Sequence, residues 1–404
     1  MSDALHNMIF DARLQTRLIF GENSVEKIGS LANELSENKR ILLVTDPGLV
    51  AAGHAAKVTQ LLEAEKYSVI LFDQTKENPT TADVDACLQV AQKSQIDLII
   101  ALGGGSSLDT AKGCNFILTN GQTMQDYQGY GKATQPLLPL IAIPTTAGTG
   151  SECQSYALIA DEITHEKMAC GDPKAAPRIA LLDPVLTLTQ PYSVTIASGI
   201  DALTHALETA VTTKRNSLSS IFSREAFRLI ANYFGQVLTH PEDLYARSQM
   251  QLAAAYSGLA VENSMLGAAH AAANPLTARY GLTHGLAVGL MIVSVIRYNS
   301  HDPEINRVYA ELARNAGLAQ NDQPDELATH SLLKRLSELL QKAQLSQALE
   351  KYDIDESVIK ELSQQAAQQW TAQFNPRSLE CEDFHCLYRE AFCEFQLKCS
   401  GSRG

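Results

Sequence analysis

Between about residues 40 and 185, short β-branched runs alternate with stretches in which polar and apolar residues recur at helical spacing, the pattern of βαβ units around a parallel sheet. Four runs stand out: Ile41-Leu42-Leu43-Val44-Thr45-Asp46, Ser68-Val69-Ile70-Leu71-Phe72-Asp73, Ile96-Asp97-Leu98-Ile99-Ile100-Ala101-Leu102 and Leu138-Pro139-Leu140-Ile141-Ala142-Ile143. Each is almost continuously hydrophobic, which predicts strands covered on both faces. After about residue 190 the strand signal disappears. Ala, Leu, Glu, Gln and Ser dominate there, and the 3.6-residue period predicts helices over 217–239, 243–262, 285–299 and 325–345. Leu181-Leu182-Asp183-Pro184 and then Pro191 mark the change. The fold class predicted is α/β plus all-α, with an α/β domain at 1–190 and a helical domain at 191–404.

Composition agrees with two cores. At 404 residues and 45% hydrophobic, the chain exceeds the roughly 250–300 residues over which one core keeps growing. Thirty-two Lys and Arg against 45 Asp and Glu give a formal charge of −13, a field that repels nucleic acid and anionic lipid. No apolar run reaches the roughly 18–20 residues needed to span a bilayer, and Asp3 and Asp11 replace any basic leader, so a soluble cytoplasmic protein is expected. The eight cysteines form no C-x-x-C pair and read as reduced thiols. Cys381, His385, Cys386, Cys393 and Cys399 fall in a helical stretch at spacings that match no usual zinc pattern.

Gly103-Gly104-Gly105-Ser106-Ser107 follows a buried run directly and opens a helix through Leu108, Asp109, Thr110, Ala111 and Lys112. Such a turn lets backbone approach a diphosphate, with free N–H groups and the helix dipole supplying attraction. Leu108 stands where a G-x-G-x-x-G motif has its third glycine, so a plain tight turn is the competing reading. Asp46, ending the first run, can accept a bond from an adenosine ribose 2′-hydroxyl and would repel a 2′-phosphate, which predicts NAD over NADP; capping the turn before Pro47 is the alternative. Pro144-Thr145-Thr146-Ala147-Gly148-Thr149-Gly150-Ser151-Glu152 offers hydroxyls at another strand end.

Asp201 and His205 stand four apart in a helical stretch with Ser198 at its predicted N-cap, so both side chains share one face. His270 lies among small residues and His284 precedes a new helix. A carboxylate and three imidazoles suit a first-row divalent ion, Fe²⁺ or Zn²⁺. Each histidine alone reads equally as a hydrogen-bonded core residue.

These motifs together resemble the iron-containing alcohol dehydrogenase family: Gly103–Ser106 with Asp109 and Lys112, Pro144–Thr146 through Ser151-Glu152, Gly199-Ile200-Asp201-Ala202 with His205 and Glu208, Gly267–Ala271, and His284-Gly285. The resemblance implies a dinucleotide-binding α/β domain followed by a helical metal-binding and substrate domain. It implies metal ligands at Asp201, His205, His270 and His284, and cofactor contacts at Asp46, Gly103, Gly104, Gly105, Ser106, Ser107, Thr145, Thr146 and Thr149, with Asn78 and Lys167 as further contacts. It implies a small alcohol or aldehyde substrate, NAD, Fe²⁺ with Zn²⁺ also chemically acceptable, and a homodimer. Many members carry a second histidine four residues after the third ligand; here that residue is Asn274, which cannot shuttle a proton at neutral pH. A zinc glycerol-dehydrogenase-like enzyme, a dehydroquinate-synthase-like enzyme and a catalytically silent nucleotide-binding module are the rival readings.

Overall fold

The computed structural model describes residues 10–12, 14–164, 166–350, 352 and 356–395; Asp3 and Cys399 lie outside them. The described residues fall into two compact units, one within Arg13–Gln190 and one within Pro191–Gly404 together with residues 10–12.

The first unit holds nine strands: β1 (Arg17–Phe20), β2 (Arg40–Val44), β3 (Ser68–Phe72), β4 (Leu98–Gly103), β5 (Gly129–Tyr130), β6 (Leu140–Pro144), β7 (Tyr156–Ala160), β8 (Lys167–Gly171) and β9 (Ile179–Leu182). Six form a sheet in the order β1-β9-β6-β4-β2-β3, and every pairing within it is parallel. Helices α1 (Ile28–Asn33), α2 (Pro47–Ala51), α3 (His54–Ala64), α4 (Thr81–Ala91) and α5 (Gly105–Asn120) connect and cover the strands. Alternate residues of the strands feed two cores. Ile41, Leu43, Leu98, Ile100, Ile141 and Ile143 pack with Val58 and Leu62 of α3, while Leu42, Val44, Ile99, Ala101 and Ala142 pack with Leu108 and Cys114 of α5. That double covering is why these runs lack polar alternation.

From β2 the chain crosses first to β3 on one side and then to β4 on the other, so the order reverses between β2 and β4. The carboxyl ends of those two strands lead to Asp46 and to the glycine turn. Open α/β sheets bind ligands at such a reversal. The hydrophobic pattern had not indicated a separate three-stranded sheet, β5-β8-β7, in which β7 and β8 run antiparallel. It also gave no sign of β1, only four residues long and half-exposed at the sheet edge, where little apolar surface is demanded.

The second unit is built from α6 (Tyr192–Thr209), α7 (Ser217–Thr239), α8 (Leu244–Glu262), α9 (Ala268–Tyr280), α10 (His284–Asn299), α11 (Pro303–Asn315), α12 (Asp325–Lys342), α13 (Leu345–Leu349), α14 (Ile359–Ala367) and α15 (Cys381–Glu394). Starts follow local chemistry: Asn216 caps α7 by accepting from Leu218 and Ser219, and Asp243 caps α8 by accepting from Ala246. Gly285 through Ile296 is buried without a break, and α10 packs against α6, α9, α12, α13 and α15, as a helix apolar on every side must. One predicted boundary needs correction. Helix α6 begins at Tyr192 after Pro191, and Ser198 is an interior residue whose hydroxyl donates to Thr195 O instead of capping. Proline fixes its own φ near the value a helix start tolerates, so it outcompetes the later serine as a starting point. Among the described residues no helix is long and apolar enough to cross a membrane.

Candidate metal centre and nucleotide site

Asp201 and His205 lie one turn apart on α6, His270 in the first turn of α9, and His284 at the first position of α10. Close packing brings the helices together. A Cβ on Gly285 would stand 1.9 Å from Ala197 O, so only glycine lets the start of α10 reach α6. Asp201 Oδ1 then lies 3.5 Å from His205 Nε2, 3.6 Å from His270 Nε2 and 3.7 Å from His284 Nε2. An ion bound tetrahedrally at about 2.0–2.2 Å spaces its ligand atoms roughly 3.3–3.6 Å apart. The three separations from Asp201 lie close to that spacing.

Asp201, His270 and His284 each bring a ligand atom within 4.8 Å of the others. His205 stands outside that trio, yet its contact to Asp201 is the shortest of the three, and its ring stacks on His270 with centroids 4.9 Å apart and planes at 12°. His205 therefore adjoins the trio through Asp201 and His270. Asp201 Oδ1 and His270 Nε2 are buried atoms with no hydrogen-bond partner; at 3.6 Å they attract as charges but do not bond. Buried polar atoms left in that condition point to a ligand.

Electrostatics say the same. Burial by itself raises the Asp201 carboxyl, but His205, His270 and His284 outweigh it and hold Asp201 well below the usual carboxylate range. Burial likewise opposes charge on His270, and the carboxylates of Glu208 and Asp201 overcome it, lifting the imidazole to about 9. The cluster demands positive charge, which a divalent cation supplies in place of protons.

In the α/β unit, Gly103 has φ +153°, and a Cβ there would stand 2.4 Å from Ser107 Oγ. Gly104 and Gly105 face Thr146 and Thr149, whose nearest methyls would be 3.2 Å and 2.8 Å from added Cβ atoms. Thr145 N donates to Gly103 O at 3.1 Å. The two polar loops thus fold onto each other. Gly105 and Ser106 open the first turn of α5, where N–H groups lack a helical partner, while Ser107 N already donates to Gly104 O at 3.1 Å. Asp46 Oδ1 accepts from Leu49 N at 3.1 Å, so this residue is the N-cap of α2. Ala160 N donates to Pro79 O and Ala160 pairs with Lys167, which brings the segment of Asn78 and the exposed Lys167 to the small sheet. Asn78 holds a left-handed backbone, φ +51°.

Sequence reasoning missed three features. Lys112, fully buried, donates to Ser151 O at 2.7 Å, Ser151 Oγ at 2.8 Å and Tyr156 O at 2.9 Å, and Ser151 Oγ donates to Asp109 at 2.9 Å. Beside it, Glu152 is buried with Oε1 unbonded, and desolvation pushes its carboxyl up to about 7. Glu208 bonds the far nitrogen of His270 at 2.5 Å. A signal for Glu208 existed, since spacings of four and three place Asp201, His205 and Glu208 on one helix face. The loop motif singles out Glu152 by position, but nothing in the sequence shows that its carboxyl is buried. On α15, Cys386 and Cys393 are exposed.

A parallel α/β unit with a glycine turn at its strand-order reversal, joined to a helical unit holding a buried Asp/His constellation, defines the class of two-domain metal-dependent dehydrogenases. The description "Iron-containing alcohol dehydrogenase" matches residues 15–184, and "Fe-containing alcohol dehydrogenase family, C-terminal" matches 195–392. "Alcohol dehydrogenase 4" of Schizosaccharomyces pombe is 36% identical over 76% of this chain and 71% of its own length. "NAD-dependent methanol dehydrogenase" of Bacillus methanolicus is 29% identical over 92% of this chain and 97% of its own. The crystal structure of a 1,3-propanediol oxidoreductase superposes with a TM-score of 0.90 at 30% identity, covering 95% of this chain and 100% of that one. The chain belongs to the iron-containing alcohol dehydrogenase family, oxidoreductases that act on CH–OH groups. Neither the glycerol-dehydrogenase-like, the dehydroquinate-synthase-like nor the catalytically silent reading is favoured by these relatives.

Proposed function

We propose that this protein interconverts a small alcohol and its aldehyde with NAD(H), using one divalent cation, Fe²⁺ or Zn²⁺, held by Asp201, His205, His270 and His284. The observation that carries the reading is the convergence of three imidazole Nε2 atoms within 3.5–3.7 Å of one buried carboxylate oxygen. Bound there, the cation supplies Lewis acidity toward the substrate oxygen, and NAD supplies the hydride acceptor. The protein's own groups do the rest. Asp201 neutralises half of the cation's charge, and the imidazoles fix its position. The His284 side chain is 23% exposed against 4–6% for the other three, so the substrate oxygen comes from its side.

The unit within 13–190, shorter at its start than the expected 1–190, serves as the nucleotide-binding domain, and the unit within 191–404 as the metal and substrate domain. The N–H groups of Gly105 and Ser106, the Ser107 hydroxyl and the positive end of α5 hold the pyrophosphate, with Gly103, Gly104, Thr145, Thr146 and Thr149 beside it. Asp46, still capping α2 through Oδ1, accepts from the ribose 2′-hydroxyl through Oδ2. Asn78 and Lys167 are further contacts. The Bacillus methanolicus relative's NAD dependence supports this cofactor choice. Asn274 Nδ2 donates to Gln369 Oε1 at 2.9 Å, so that position holds an amide pair and moves no proton. Cytoplasmic residence and a symmetric homodimer complete the reading.

Metal analysis of the purified protein, run beside NADH formation on primary alcohols, diols and hydroxy acids with and without a chelator, tests it. Near-stoichiometric metal and chelator-sensitive turnover are expected; turnover that survives complete metal removal rejects the proposal. The kcat/KM should favour NAD over NADP, and Asp46→Ala should narrow the gap by about tenfold. A preference for NADP in the unaltered protein rejects the role of Asp46.

A further inference from the structure

Glu208 is 3% exposed, and both of its carboxylate oxygens are engaged with the start of α9. Oε2 lies 2.5 Å from His270 Nδ1, while Oε1 accepts from Ala269 N at 2.6 Å and, at 3.4 Å, from His270 N. A carboxylate can only accept, so once a cation displaces the second imidazole proton, Nδ1 keeps its proton toward Glu208 and Nε2 is the nitrogen left to ligate. The neighbourhood is shaped around this contact. A Cβ on Gly267 would stand 3.3 Å from Glu208 Oε1 and equally close to Asn375 Oδ1, and Asn375 is locked to Asn299 by reciprocal amide bonds of 3.1 and 2.8 Å. Glu208 also places negative charge at the N-terminus of α9, where the helix dipole favours it.

Resting on the metal reading above, we propose that Glu208 is a positioning residue that sets the tautomer and tilt of His270 and thereby tightens the hold of the centre on its cation. It touches neither substrate nor cofactor and acts only through His270. Glutamine has nearly the same shape but a single acceptor oxygen. If that oxygen faces Ala269 N, the amide NH₂ faces Nδ1, which must then accept; the proton moves to Nε2 and blocks ligation. If the oxygen faces Nδ1 instead, the NH₂ confronts the buried N–H of Ala269. Neither arrangement reproduces the carboxylate's two simultaneous bonds.

The test is Zn²⁺ affinity of the purified full chain, measured by chelator competition, together with the visible absorption of the Co²⁺-loaded protein. Glu208→Gln is expected to weaken Zn²⁺ binding 10–100-fold and to shift the Co²⁺ bands, with the far-ultraviolet circular dichroism and NAD affinity of the metal-free protein close to the unaltered chain. Unchanged Zn²⁺ affinity and an unchanged Co²⁺ spectrum would reduce Glu208 to a helix cap and overturn the proposal. Should Glu208→Gln fail to fold, Glu208→Asp keeps the charge but is one methylene too short to span both bonds; affinity within twofold of the unaltered chain overturns the proposal there too. An unaltered chain that takes up no divalent ion sinks the metal reading itself, a result distinct from either variant's.

Discussion

Backbone carries most of the proposed nucleotide site, whose glycine turn and facing threonine loop come from two short stretches that each follow a buried strand, whereas the proposed metal centre is all side chain, gathered from three helices. The first is defined by what is absent, because added atoms at Gly103 or Gly105 would collide with Ser107 or Thr149, and one at Gly104 would crowd Thr146. The second is defined by four polar groups placed among buried alanines, with two atoms left unbonded unless something fills the space between them. A site made of backbone is specified by local sequence, and one made of converging side chains depends on packing over the whole unit.

That contrast can be broken most sharply at the metal ligands. Replacing His270 or His284 with alanine should cut kcat by at least about 10³-fold and lower bound metal, since several kcal/mol of charge stabilisation are removed. NAD binding, followed by titration calorimetry, should stay detectable; simultaneous loss of both in a folded protein would abolish the separation of the two sites.

The reciprocal change is Gly103→Ala. It forces a non-glycine residue to φ +153° and against Ser107, and should weaken NAD binding roughly 100-fold while leaving Zn²⁺ affinity within twofold. Altered metal affinity would show that the two sites are less independent than their construction implies.

The smallest effect sharpens the comparison by pH. Glu152, in the α/β unit, has its carboxyl raised by burial to about 7 from an ordinary 4.5. A raised folded-state value means that its contribution is fully present below about pH 4.5 and is lost as pH climbs through about 7. Glu152→Gln should therefore gain on the unaltered chain across that window, by on the order of 2 kcal/mol at pH 8 in denaturant unfolding. A constant difference from pH 4.5 to 8 would exclude the ionisation as its cause.

Much of this was legible beforehand. The four hydrophobic runs mark β2, β3, β4 and β6; β2, β4 and β6 are covered on both faces, whereas β3, at the sheet edge, is half-exposed with Leu71 at the surface, and helices α7, α8, α10 and α12 lie where the 3.6-residue period places them. Strand β1 escaped because an edge strand carries little burial pattern, and β7 and β8 because their half-exposed residues belong to a sheet outside the parallel core. The start of α6 escaped because two residues competed for one role, Pro191 and Ser198, and only packing shows how far the helix extends. Asp46 had two readings, cap or ribose acceptor; one carboxylate oxygen caps, and the second is the one the ribose reading needs.

The sequence by itself determined the two fold classes, the glycine turn and the residue types able to grip a cation, because periodicity and strand-to-helix turns are local properties of the chain. Only the tertiary structure decided that His205, His270 and His284 each approach one oxygen of Asp201, that Glu208 bonds the far side of His270, and that Glu152 is buried. Those facts depend on which helix faces meet and how closely. Contacts such as Gly285 against Ala197, between residues far apart along the chain, set that approach, and no local pattern encodes it.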